Sequence, residues 1–267
     1  MTILQEIADK TKERIANQKS TVSVADIKAM AKEVSAIELS KGDYLYSFEK
    51  ALRKEKLNFI CEVKKASPSK GLIAPDFPYL DIARDYERAG AAAISCLTEP
   101  FYFKGSDEYL KEISKEVKIP VLRKDFTVDE YMIHEAKYIG ASAILLICAI
   151  LSKEQLKEYH EIAHELGLSV LVEAHDEYEV NMALDAKARI IGVNNRNLKD
   201  FTVDINNSVN LRKLVPEEIT FVSESGMKTK EDIAVLVNNG TNAVLIGETL
   251  MRASNKKEKL DELRSLI

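Results

Sequence analysis

The chain has 267 residues, 46% of them apolar, with 38 basic residues against 43 acidic ones. That length suits one large α/β barrel or two small domains, and the apolar share is ample for a packed core. The mildly acidic balance excludes a basic nucleic-acid footprint, no run approaches a membrane span, and the N-terminus MTILQEIADK lacks an apolar secretory segment. A cytoplasmic protein with neither nucleic acid nor membrane as partner is therefore expected.

Residues 1–57 read as helical. Leu4, Ile7, Ala8, Thr11 and Ile15 recur at helical spacing, a second short helix is expected over 24–34, and a third over 43–54 with Tyr44, Phe48 and Leu52 on one face. No glycine-rich linker follows. The expectation is one domain over 1–267, in which 1–57 is an N-terminal extension packed on the rest.

From Asn58 onward the chain alternates. Strand-like runs fall at 58–64, 91–97, 119–123, 142–148, 168–173, 189–193, 219–223 and 242–246. Amphipathic helical stretches lie between them, at 79–89, 107–117, 128–138, 153–166, 176–185, 206–213 and 229–238, and an eighth at 255–266 ends the chain. Regular βα alternation implies a parallel sheet, and eight such units in this length fit a closed (β/α)8 TIM barrel better than an open doubly wound sheet. No dinucleotide fingerprint follows any strand. The three cysteines, Cys61, Cys96 and Cys148, sit in apolar runs and read as reduced core residues.

The first strand carries the strongest sign of chemistry. In Phe59-Ile-Cys-Glu62-Val-Lys64-Lys-Ala-Ser67-Pro68-Ser69, side chains alternate, so Phe59, Cys61 and Val63 point one way and Glu62 and Lys64 the other. The run breaks at Ser67-Pro68. A solvated edge strand is the bland alternative. Chemistry in such a barrel collects where strands end, and the other strand ends are polar too: Thr98-Glu99, Lys124-Asp125-Phe126, Glu173, Asn194-Asn195-Arg196-Asn197, Ser223-Glu224-Ser225-Gly226 and Gly247-Glu248-Thr249. The fourth strand supplies no charge. Any one of these could be polar only because it reaches water. Lysines and glutamates that end otherwise apolar runs, and so meet in a partly desolvated pocket, make a general acid/base set, because environment separates their proton affinities.

Ser225, Gly226, Gly247 and Glu248 lie in the loops after strands seven and eight, where this fold commonly binds phosphate through backbone N–H groups. The Glu248 side chain is expected to point away. The loop from Lys65 to Pro78, with Gly71 as a hinge, is a candidate lid. Phe101, Phe103 and Phe126 are candidates for an apolar wall against a flat ring, or for ordinary loop packing. His160-Glu161-Ile-Ala-His164 matches the H-E-x-x-H pattern of zinc proteases. No third ligand is evident, and Leu156, Tyr159, Ala163 and Leu166 turn that helix's apolar face to the barrel wall, so both histidines are expected at the outer surface and no metal is expected. His134 and His175 are read as non-catalytic, with His175 just past Glu173, where it can shape the site.

These segments together resemble the indole-3-glycerol-phosphate synthase family over nearly the whole chain. The residues that carry the resemblance are the Phe59–Ser69 segment, Leu-Thr-Glu99-Pro with Tyr102-Phe103, Leu-Arg-Lys124-Asp-Phe126, Leu-Val-Glu173-Ala-His-Asp, Ile-Gly-Val-Asn194-Asn-Arg196-Asn-Leu and Ser-Glu224-Ser225-Gly226. The resemblance implies a carboxy-lyase of tryptophan biosynthesis that closes 1-(2-carboxyphenylamino)-1-deoxyribulose 5-phosphate to indole-3-glycerol phosphate, with no cofactor and a small phosphosugar as its only partner, in a monomer. It implies Lys124 as acid towards the developing alkoxide and Glu173 as base and cation stabiliser. Lys64 would hold the carboxylate or the phosphate of the substrate or act as an acid itself, so that the acid of each step stays open between the two lysines; Glu62 would bind hydroxyls and assist dehydration, and Asn194 and Arg196 would orient the substrate. Ser67, Pro68, Phe103, Phe126, Glu224 and Ser225 would contact substrate, with phosphate at Ser225, Gly226, Gly247 and Glu248; position 248 varies in the family. Some members are fused to an isomerase; one activity only is expected here. The alternatives are another phosphosugar-binding barrel isomerase, which would not need the Glu62/Lys64 unit, and a non-catalytic barrel kept as a binding subunit, which would be expected to have lost one of Lys64, Lys124 and Glu173.

Overall fold

The computed structural model describes residues 2–42, 45–54, 56–197 and 200–267. Eight parallel strands close into a barrel: β1 (Asn58–Val63), β4 (Ala93–Leu97), β5 (Val121–Lys124), β6 (Ala143–Ile147), β7 (Ser169–Ala174), β8 (Ile190–Asn194), β9 (Thr220–Glu224) and β10 (Ala243–Ile246). β1 pairs with both β4 and β10, which seals the sheet. Closure removes exposed sheet edges and sets every strand's carboxyl end on one rim.

Alternation along each strand divides the core in two. Ile60, Leu122, Leu145, Leu171, Val222 and Leu245 fill the barrel interior. Phe59, Cys61, Val63, Ile94, Ile144 and Val172 face the surrounding helices. Glu62 and Lys64 follow Ile60 in the period of two, so they point inwards at the rim. All three cysteines are buried free thiols in the outer cluster, and burial pushes the Cys61 thiol up to about 12.

The outer ring is α4 (Tyr79–Arg88), α5 (Asp107–Glu116), α6 (Glu130–Tyr138), α7 (Lys153–Glu165), α8 (Glu177–Asp185), α9 (Asn206–Leu211), α10 (Lys230–Asn238) and α12 (Lys256–Arg264). Ser152 and Thr229 start α7 and α10 with reciprocal capping boxes, which satisfy otherwise unpaired N–H groups of the first turn. A short helix, α11 (Glu248–Arg252), stands between β10 and α12 and was not expected from periodicity. The loop after β1 also differs from expectation: it holds a small antiparallel hairpin, β2 (Ala66–Ser67) with β3 (Gly71–Leu72), turned by Gly71 at φ +63°.

The N-terminal segment forms α1 (Ile3–Thr21), α2 (Val24–Ser40) and α3 (Ser47–Leu52). α2 runs six residues past the expected 34, because the Ser35 hydroxyl donates to the Leu166 carbonyl and Glu38 pairs with the buried Lys137 of α6. Asp43 and Tyr44, expected at the start of the third helix, lie outside the described residues. α1 buries Ile7, Ala8, Thr11 and Ile15, and the Arg14 guanidinium donates to Asp125 at 2.8 Å, tying the helix to the rim. No helix among the described residues is long and apolar enough to cross a membrane.

Candidate active site

A cavity of about 920 Å³ opens at the carboxyl rim of the barrel. It is lined by Glu62, Lys64, Ser67, Pro68, Phe103, Lys124, Phe126, Glu173, Asn194, Arg196, Glu224, Ser225, Gly226, Gly247 and Glu248, all site candidates from the sequence; of the candidates for its apolar wall, Phe101 is missing. Seven strand ends and the loops behind them supply these side chains, which is why residues spread over about 190 positions converge.

Two lysine–carboxylate groups line the cavity. In the first, the Lys124 ammonium lies 3.0 Å from Glu173 Oε2 and 3.3 Å from Glu224 Oε2. Burial works against the charged ammonium, but Glu173, Glu224 and Glu62 outweigh it and raise the Lys124 pKa, so the group stays protonated at neutral pH. Burial likewise opposes the Glu173 carboxylate, yet Lys124 and His175 hold its pKa well below the usual carboxylate range. Asn194 Nδ2 donates to its other oxygen, Oε1, at 3.2 Å. Glu224 goes the other way: burial, with Glu173 and Glu62 nearby, pushes it up to about 7 in spite of Lys124. Glu224 Oε1 is buried and has no hydrogen-bond partner among the described residues. One ionised and one near-neutral carboxyl therefore share a single lysine, an arrangement that can both take and give a proton.

The second group is Glu62 with Lys64, in direct ionic contact. Gly247, at the end of β10, lies against both. A Cβ there would overlap Glu62 Oε1 and would sit 2.8 Å from Lys64 Nζ, so any side chain at this position would have to displace the ends of that pair. Ser225 (φ +68°) and Gly226 (φ +99°) turn the backbone through two consecutive left-handed residues at the same rim. The Glu248 side chain accepts from Arg252 Nε at 3.0 Å, with Lys70 of the hairpin at 4.0 Å. Two cations thus offset its charge beside the candidate anion site.

The apolar wall is only partly as expected. Phe103 and Phe126 line the cavity with ring centroids 6.3 Å apart. Phe101 does not reach it; its side chain is exposed. The difference lies in Glu99, whose buried carboxylate accepts from the backbone N–H of Phe101, Tyr102 and Phe103 and so fixes which ring of that loop turns inwards. The remaining wall comes from Ile3, Leu4 and Ile7 of α1 and from Leu145 and Ile147 of β6, the strand without a charge. Those α1 residues are helix-spaced apolar positions in the sequence, but nothing local says that they cover a rim.

The H-E-x-x-H histidines are far from this cavity and from each other in environment. His164 is at the surface as expected, with Nδ1 3.2 Å from the Tyr46 hydroxyl and Nε2 3.2 Å from Arg189. His160 corrects the expectation: it is buried between α7 and its neighbours, and burial, with His164 and Arg189, lowers its pKa to about 4.

Comparison with known proteins identifies the family of the chain. The sequence model of the family described as indole-3-glycerol phosphate synthase matches residues 4–263. An indole-3-glycerol phosphate synthase from Ruminiclostridium cellulolyticum is 58% identical over 98% of this chain and 98% of its own length. One from Endomicrobium trichonymphae is 56% identical over 98% of this chain and 99% of its own. Among solved structures, a mutant tryptophan synthase alpha-subunit from Pyrococcus furiosus is similar in fold, with a TM-score of 0.60 at 18% identity over 78% of this chain and 98% of that one.

Proposed function

Because the chain belongs to the indole-3-glycerol phosphate synthase family of carboxy-lyases, we propose that this cavity closes 1-(2-carboxyphenylamino)-1-deoxyribulose 5-phosphate to indole-3-glycerol phosphate, with loss of CO2 and water. The observation that carries the reading is Lys124 held between Glu173 and Glu224 in the cavity that the Glu62–Lys64 pair also lines.

Ring closure has the aryl carbon attack the ketone. The developing alkoxide is a far stronger base than an amine, so Lys124, kept protonated by its carboxylates, is suited to give it a proton. The ring then carries positive charge until the carboxylate leaves as CO2. Glu173, ionised at neutral pH, faces that charge and takes a proton from the ring methylene beside the nitrogen as water departs, which forms the indole double bond. Lys64 holds an anionic group of the substrate, and Glu62 assists loss of the hydroxyl. Asn194 and Arg196 orient the substrate, with Ser67, Pro68 and Glu224 around its hydroxyls and Phe103 and Phe126 against the aromatic ring. The phosphate sits at Ser225, Gly226, Gly247 and the Glu248 backbone N–H.

The test uses the absence of tryptophan from the chain, which leaves the background dark for indole emission. Substrate added to purified protein without metal or nucleotide should give a rising indole signal, and Lys124→Ala should abolish it. A folded wild-type protein that gives none with verified substrate would end the reading.

A further inference from the structure

Behind Glu173 lies a second ionic chain that the proposed reaction leaves unused. His175 follows Glu173 by two residues, so both side chains leave the strand on the same side. His175 Nδ1 is hydrogen-bonded to Glu179 Oε2 at 2.9 Å, while Nε2 lies 3.4 Å from Glu173 Oε1, an ion-pair contact without hydrogen-bond geometry among the described residues. The same Glu179 oxygen accepts the His175 backbone N–H at 2.8 Å, and Asn207 of α9 donates to the His175 carbonyl at 3.1 Å. Glu179 is itself fixed in the first turn of α8, where its backbone N–H donates to the Asp176 cap at 2.9 Å. The imidazole is therefore gripped through its ring and its backbone, and its side chain is mostly buried.

We propose that His175, clamped by Glu179, is a positioning residue for Glu173: its Nε2 is in ion-pair contact with Oε1, beside the Asn194 amide, and leaves Oε2 to Lys124, so that the carboxylate is held in one orientation. The inference rests on the reading of Glu173 as base and cation stabiliser. The reason is one of donor count. An imidazolium donates from both nitrogens, whereas a neutral imidazole donates from one and must abandon one of its two carboxylates. The charged and titratable groups around it are Glu173 from β7, Glu179 from α8, and the Cys148 thiol, which lies against the Glu179 carbonyl. Burial opposes the charge, but the two carboxylates outweigh it and raise the imidazole to about 10. It is charged throughout the neutral range.

The experiment combines a histidine NMR titration of the full chain with pH profiles of turnover. There are four histidines, and His175→Gln assigns the resonance. In the wild type His175 should titrate above pH 9; a midpoint near the ordinary value of about 6.5 overturns the proposal. Glu179→Gln keeps the shape and removes one carboxylate. It should bring the His175 midpoint towards neutrality and add a new limb to kcat, which falls about tenfold as pH rises through that midpoint, the equivalent of one pKa unit. KM should stay near wild type. His175→Gln should lower kcat by a similar factor at every pH and show no such limb. A merely structural role would lower the melting temperature without moving the profile, so superimposable profiles would overturn the proposal. Should the wild type form no indole product, the proposed reaction fails, while the titration still decides whether the imidazole carries the charge required.

Discussion

Arg123 and Lys124 are neighbours on β5, and the barrel wall sends them to opposite sides. Arg123 points out under the helical ring. Its Nε donates to Thr98 Oγ1, Nη1 to the Met132 carbonyl at 2.9 Å, and Nη2 to Asp107 and Glu135, each at 2.7 Å. Lys124 points into the cavity, where it reaches Glu173 and Glu224 while Glu224 keeps an oxygen without a hydrogen-bond partner among the described residues. Both cations are buried among carboxylates. In one network every guanidinium nitrogen has a partner; the other is left partly unsatisfied against an open cavity. Buried charge as such therefore does not mark chemistry: unspent hydrogen-bonding capacity facing a cavity does.

That contrast can be broken most sharply at the two residues themselves. Lys124→Ala should lower kcat by about a thousandfold to ten-thousandfold, the upper range for a positioned acid, with a smaller change in KM. Its melting temperature should move little, because the carboxylates left behind can protonate beside water. Arg123→Ala should do the reverse in kind: a loss of about 3–5 kcal/mol in urea unfolding, from uncompensated buried carboxylates, with activity falling only as folded protein is lost. If Arg123→Ala proved as stable as wild type, the saturated network would not be a structural one.

His160 extends the outer-layer side of the comparison to pH. Its folded pKa of about 4 lies below the ordinary value of about 6.5, so between those values the unfolded chain binds more protons than the folded one. Stability should then fall on acidification through that window, by up to about 3 kcal/mol from this residue. His160→Gln should flatten that part of the curve, read by urea unfolding at pH 7 and pH 4.5; an unchanged slope would count against a neutral buried imidazole.

Gly247→Ala sharpens the cavity side with the smallest effect. The added methyl meets the mobile ends of Glu62 and Lys64, not backbone, so stability should change by less than about 1 kcal/mol. Displacing that pair should still cost about tenfold in kcat/KM. Wild-type kinetics would show that the pair tolerates displacement.

Much of this molecule is readable along the chain, because the controlling periodicities are local. The βα alternation from Asn58 onward calls for a parallel sheet, and the period of two in Phe59–Lys64 separates Glu62 and Lys64 from the outward Phe59, Cys61 and Val63. In a closed barrel every strand end meets the same rim, so naming polar strand ends amounts to naming the cavity wall. Other features depend on partners far along the chain. α1 carries an apolar stripe in sequence, but only packing decides that Ile3, Leu4 and Ile7 cover the rim, held there by Arg14 and Asp125, 111 residues apart. Phe101 and Phe103 are equivalent in sequence until Glu99 binds their backbone and turns one of them inwards. His160 and His164 share a motif, yet neighbouring helices bury one and leave the other at the surface. Local pattern determined which elements form and which faces they present; the long-range contacts of the folded chain decided which of those faces meet, and so which charges are left unpaired in the cavity.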